Sequence, residues 1–161
     1  RSRVTDSRRL NFSFSAFQFF SIYSTMPLQL DIVTPEKKAF SAPVDHVYLP
    51  GADGELGVLP MHAGLVTALK PGELRYLHNG QTTTLAIGSG FAEITQEKVV
   101  VLTDMALGED EIDEKSTEEA IERAQEKLKS VDHSMDAEEV AYLQSVISKS
   151  TAALRFKRRS H

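Results

Sequence analysis

The side chains that could do chemistry are few, and their spacing argues against most of it. His46, His62, His78, His133 and His161 include no pair that one helix or strand would aim at a single metal ion. The absence of Cys excludes thiolate nucleophiles, disulfides and every sulfur-ligated zinc site. Ser89 stands in Gly88-Ser89-Gly90, but a nucleophile elbow needs glycines two residues away on each side, and those positions are Ile87 and Phe91. Gly51, Gly54 and Gly57 recur every third residue between apolar runs and open no helix, so a phosphate cradle lacks the helix N-terminus it requires. Asp and Glu together number 23, which keeps open a small β-sandwich enzyme working through a pair of carboxylates. No catalytic residue, cofactor or metal is expected from these patterns. The stretch from Gly54 onward, rich in turn residues and aliphatics with Glu55 its one charge before Lys70, reads instead as a contact surface.

The elements that would position this surface are short and extended. Leu28, Leu30 and Ile32 alternate with Gln29 and Asp31 at a period of two, the mark of a half-buried strand. Further strands are expected at Val44–Leu49, Glu55–Leu59, Leu65–Leu69, Glu73–His78, Thr82–Ile87, Phe91–Thr95 and Val99–Thr103. Pro50-Gly51, Asp53-Gly54, Pro71-Gly72, Asn79-Gly80 and Gly88-Ser89-Gly90 separate them, and Asn79-Gly80 is the clearest hairpin signal. So many short strands cover their apolar faces only by facing one another, which predicts a sandwich or flattened barrel.

After Leu107-Gly108 the period becomes helical. Ser116 and Glu119 form an expected capping box, followed by Ala120, Ala124, Leu128 and Val131 on one stripe. Asp136 and Glu139 open a second helix whose stripe is Val140, Leu143, Ile147 and Leu154. The short connection makes the two antiparallel, with a narrow seam. Arg155, Lys157, Arg158 and Arg159 near the end exceed what a helix dipole needs and suit an acidic partner.

Composition bounds the rest. At 161 residues, 41% hydrophobic and 25% charged, the chain is one ordinary domain or a small domain with an appendage. Residues 1–25 form a separate block: four Arg, one Asp and five of the eight Phe give a local +3, against −8 for the remainder of a chain whose net charge is −5. Such a block reads as upstream sequence, an artificial leader or a targeting segment, with Met26 as the start of the fold. The expected organisation is an extension at 1–25, a β-sandwich at 26–108 and a helical hairpin with a basic tail at 109–161. With no overall basic footprint, nucleic-acid binding is not expected. No apolar run approaches the ~20 residues that cross a bilayer as a helix, so membrane association would go through partners.

Gly54-Glu55-Leu56-Gly57-Val58-Leu59-Pro60, His62-Ala63 and Leu65-Val66-Thr67-Ala68-Leu69-Lys70-Pro71-Gly72 closely resemble the epsilon subunit of bacterial F-type ATP synthase, whose mitochondrial counterpart is called delta. The likeness runs from about Leu28 through the Gly88-Ser89-Gly90-Phe91 turn into the helical hairpin. It implies an α+β, mainly β architecture: an antiparallel sandwich of about ten strands followed by two helices. It also implies a non-catalytic rotor subunit of a proton-translocating complex, peripheral on the cytoplasmic face of the bacterial inner membrane rather than on an organelle membrane. The implied partners are the gamma subunit and the c ring at Glu55, Leu56, His62 and Leu65. The alpha and beta subunits would be reached by the helices, through Lys149, Arg155, Lys157, Arg158 and Arg159 on acidic beta-subunit surface, to restrain ATP hydrolysis. Such a hairpin would be detachable, and its Ala-rich stripe buries little.

Of two departures from the family pattern, the first changes local rigidity and little else, and the second bears on function. Ala63 is followed by Gly64 where many members have Pro. Nucleotide-binding members carry I/L-D-x-x-R-A at the first helix; here Ile112 and Asp113 match, while Ser116 and Thr117 replace the Arg and Ala. Without that Arg a phosphate loses a fork-shaped donor, and Arg123 lies too far along to replace it. A free-standing nucleotide-sensing module is the remaining alternative.

Overall fold

The computed structural model describes residues 27–130 and 136–159. The expectations for residues 1–25, Val131, His133 and His161 lie outside the described residues. Ten strands follow one another: β1 (Leu28–Val33), β2 (Lys38–Val44), β3 (His46–Gly51), β4 (Gly54–Val58), β5 (Leu65–Leu69), β6 (Gly72–His78), β7 (Gln81–Ile87), β8 (Gly90–Ile94), β9 (Lys98–Thr103) and β10 (Ala106–Leu107). A 3₁₀ turn at Glu109–Glu111 leads into α1 (Glu114–Lys129), and α2 (Ala137–Arg159) completes the fold.

The strands form one continuous sheet in the order β10-β7-β6-β3-β5-β8-β9-β1-β2, with β4 paired to β3. The sheet folds on itself, so that side chains from all ten strands share one core. Period-two alternation is the cause: Leu28, Leu30 and Ile32 of β1, Val47 and Leu49 of β3, and Val99 and Val101 of β9 all point inward and are fully covered. Closure is visible where β2 returns to β6. The Phe40 and Tyr76 rings lie 4.3 Å apart, and the Asp45 amide donates to the Leu77 carbonyl at 2.8 Å. At Asn79-Gly80 both residues take positive φ, 51° and 76°, and join β6 to β7 as expected of a two-residue hairpin turn.

The structure corrects the sequence reading in several places. β2 was not expected, and the expected Val44–Leu49 strand divides at Asp45 between β2 and β3. β2 is an edge strand, where Pro43 opposite Gln29 costs no ladder bond on its free side. The sandwich is not wholly antiparallel, because β1 and β9 pair in parallel. The first helix begins at Glu114, and its cap is Asp113, not Ser116: the Ser116 amide donates to Asp113 Oδ1 at 2.7 Å. An aspartate three residues earlier offers the same acceptor closer to the preceding turn. Asp136 does open the second helix, with Glu139 and Val140 amides donating to its carbonyl.

Candidate functional site

The outer face of β5, β8, β9 and β1 carries side chains that period-two alternation sends away from the core. In register across these four strands stand Ala68, Phe91, Leu102 and Val33. Phe91 is 60% exposed and Leu102 52%. At about 4.8 Å per strand, this row forms an apolar ladder about 15 Å wide. The next row alternates Val66, Glu93, Val100 and Asp31, and Val66 is exposed as well. Leu59, Met61 and Leu65 are further exposed apolar side chains around the β4–β5 connection. Contiguous exposed apolar side chains of this size mark a surface that another protein covers. Gly90 lets the ladder form, because a Cβ there would meet the Leu102 carbonyl oxygen at 1.9 Å, while a Cβ at Gly88 would meet the Asp104 carboxylate; both glycines thus serve close packing.

Asp31 pins the far edge of this face. Its carboxylate accepts from Ser41 Oγ at 2.7 Å and lies 2.8 Å from Lys98 Nζ and 3.2 Å from Lys38 Nζ. Lys98 and then Ser41 hold the carboxyl well below the usual carboxylate range, outweighing the burial that would raise it. Sequence alternation placed Asp31 on a solvated face, whereas it is almost entirely covered.

The expected contact residues are not gathered in one place. Glu55 is exposed on β4 and pairs with Arg75 of β6. Leu56, on the same strand, packs half-buried against the core. His62 turns its Nδ1 to the Ala63 carbonyl oxygen, 2.7 Å away, and Leu65 is exposed at the start of β5. His78 Nδ1 lies 2.6 Å from the Pro43 carbonyl oxygen, and His46 stands edge-on to Tyr48. Among the described residues no cluster of His, Asp and Glu has the makings of a metal site.

The hairpin docks on the outer face of β6, β7 and β10. Ile112, Ala153 and Phe156 close over Ala86, with Met105 and Leu107 at the edge. Phe156 was missed by the sequence reading, which took Leu154 as the end of the stripe; Leu154 is only half-buried. Its setting between Arg155 and Lys157 concealed it, although Ala153 and Phe156 at a spacing of three are a helical signal. Between the helices, Ala124 and Leu143 are buried. Ion pairs surround this small seam: Lys149 with Asp104 at 3.6 Å, Lys157 with Glu109 at 3.8 Å, Arg159 with Glu73 at 2.9 Å, and Arg158 with Glu114 and Glu118. The docked hairpin therefore spends four of its five expected partner-seeking cations on the chain's own carboxylates. Arg155 remains exposed.

Ile112, Asp113 and Arg123 do not converge on a ligand. Ile112 is buried in the seam, and Asp113 is committed to the α1 cap, where the Ser116 amide holds its carboxyl below the usual range. Arg123 is exposed farther along the helix.

A folded sheet with an exposed apolar ladder and a hairpin held by exchangeable contacts defines a protein built to bind other proteins. The family described as ATP synthase, Delta/Epsilon chain, beta-sandwich domain matches residues 27–109. The chain is 48% identical over 108 residues to the ATP synthase epsilon chain of Desulforamulus reducens, covering 67% of this chain and 82% of that one. It is 38% identical over 135 residues to that of Herpetosiphon aurantiacus, covering 83% and 99%. A chain in the cryo-EM structure of the Euglena gracilis mitochondrial ATP synthase, OSCP/F1/c-ring in rotational state 1, shares the fold with a TM-score of 0.68 at 23% identity, over 98% of this chain and all of that one. The chain belongs to the ATP synthase delta/epsilon family.

Proposed function

We propose that the chain is a non-catalytic central-stalk subunit of an F-type ATP synthase. Its sandwich couples the gamma subunit to the c ring, and its helices reach the alpha and beta subunits to restrain ATP hydrolysis. The observation that carries this reading is the apolar ladder Ala68, Phe91, Leu102 and Val33, which a rotor subunit would bury against gamma. Glu55, beside the β3–β4 turn, and His62, in the β4–β5 connection, are assigned to the ring. Among the described residues no helix is long and apolar enough to cross a membrane, so the ring provides the membrane attachment.

The helices suit a restraining arm because their cations are held by ion pairs that exchange readily, and exposed pairs of this kind are worth ~0–1 kcal/mol each. A carboxylate-pair enzyme fits less well: Asp31 and Asp113 are both held below their ordinary range, the reverse of what a general acid needs. The test is copurification of the tagged full chain from membranes. The expected result is gamma, alpha, beta and c chains in fixed ratio, with Phe91→Glu/Leu102→Glu losing gamma while its circular dichroism stays unchanged. Failure of the unaltered chain to bring down gamma and c would overturn the reading.

A further inference from the structure

Gly57, the last of the three regularly spaced glycines, has a neighbour that gives it a purpose. The Tyr48 ring lies across it so closely that a Cβ would sit 3.0 Å from Tyr48 Cε1. Tyr48 and Arg75 are directly opposed on β3 and β6, and the guanidinium stands 5.3 Å from the centre of the Tyr48 ring. Supported on that ring, Arg75 reaches over β3 to the Glu55 carboxylate on β4. Two residues back on the same face of β6, about 7 Å away between α-carbons, Glu73 is held by Arg159 of α2 at 2.9 Å. Glu55 and Glu73 line a single cleft of about 800 Å³ with Arg155, Arg158 and Arg159.

Arg75 thus has one carboxylate in contact, Glu55, and a second, Glu73, two residues away on its own strand, which the docked hairpin occupies. We infer that Arg75 is a positioning residue for Glu55 and that its hold on Glu55 depends on the hairpin. When α2 leaves, Glu73 loses Arg159 and competes for Arg75, which releases Glu55. Lys70, at the turn before β6, lines the same cleft, but its ammonium is tied to the Ala52 carbonyl oxygen at 3.1 Å. The state of the helices is thereby written onto the residue assigned to the ring, with no change in the sandwich backbone. This deepens the proposed function and rests on it for what Glu55 touches and for the release of α2.

The test uses the intact isolated chain. The Glu55 carboxyl ¹³C shift is recorded by NMR in the unaltered protein and in Arg75→Gln, Arg159→Gln and Arg159→Gln/Glu73→Gln, together with the Arg75 Nε–H signal where Arg75 is present. Arg159→Gln is expected to move the Glu55 shift part of the way to its Arg75→Gln value, and the added Glu73→Gln to restore it. A merely structural loss would not be restored by a second substitution. Arg155 and Arg158 line the same cleft as Glu73, so the series includes Arg155→Gln/Arg158→Gln/Arg159→Gln, which leaves Glu73 no guanidinium on α2. An unmoved Glu55 shift in that variant, or a shift in Arg159→Gln that persists when Glu73→Gln is added, would overturn the inference. Failure to copurify with gamma and c would leave these shifts intact and strike the proposed function alone.

Discussion

The sandwich and the hairpin belong to one chain but are held by different physics. In the sandwich, eleven large side chains, from Leu28 to Val101, are fully covered by one another. The hairpin rests on the sheet through Ile112, Ala153 and Phe156 over Ala86, and otherwise through ion pairs reaching its surface. Dry burial cannot be exchanged for anything water offers, whereas a surface ion pair gives up one partner and takes another at little cost. The contrast divides the molecule: one region is held by dry burial, the other largely by contacts that exchange with solvent.

The strongest way to break this contrast is to strike the core. Leu49→Ala empties a fully covered site and should cost about 3 kcal/mol by urea denaturation, unfolding sandwich and hairpin docking together. A loss below about 1 kcal/mol would mean the core is looser than its burial implies. Phe156→Ala should cost nearly as much, about 2–3 kcal/mol, but only in docking: hydrogen exchange should accelerate in α2 and stay unchanged in β1, β3 and β9. Its companion is removal of residues 111–161, which should leave a folded sandwich. Unfolding of that fragment would merge the two regions into one cooperative unit.

The smallest effect sharpens the comparison from the electrostatic side. Asp31→Asn should cost about 1 kcal/mol at pH 7, because solvent at the sheet surface screens its lysines. The folded carboxyl titrates below the ordinary value of 3.8, so the stability it contributes is present above that value and lost as pH falls through the folded one. Urea midpoints of the two proteins should therefore differ at pH 7 and approach each other below about pH 3. A constant difference would remove the charge from the explanation.

Most strands were legible because each needs only local alternation between turn residues, and β5 falls at Leu65–Leu69 as read. β2 was hidden by Lys38 and Pro43, which an edge strand tolerates and an isolated reading does not. The first helix was legible as a period, but not in its cap, since Asp113 and Ser116 are both good capping residues and the preceding turn selects between them. The basic residues near the end were visible as a charge run, while their partners Asp104, Glu109 and Glu73 lie far away in sequence.

The sequence by itself determined the architecture, since period-two and helical patterning and turn chemistry act over a few residues, and the ordered Gly54–Gly72 run determined the family. Only the tertiary structure decided which outward-facing side chains share a surface. Ala68, Phe91, Leu102 and Val33 come from four strands and become one ladder through register alone. Register and sheet closure, set by pairings across long stretches of chain, likewise put Arg75 on Glu55, Arg159 on Glu73 and Phe156 against Ala86.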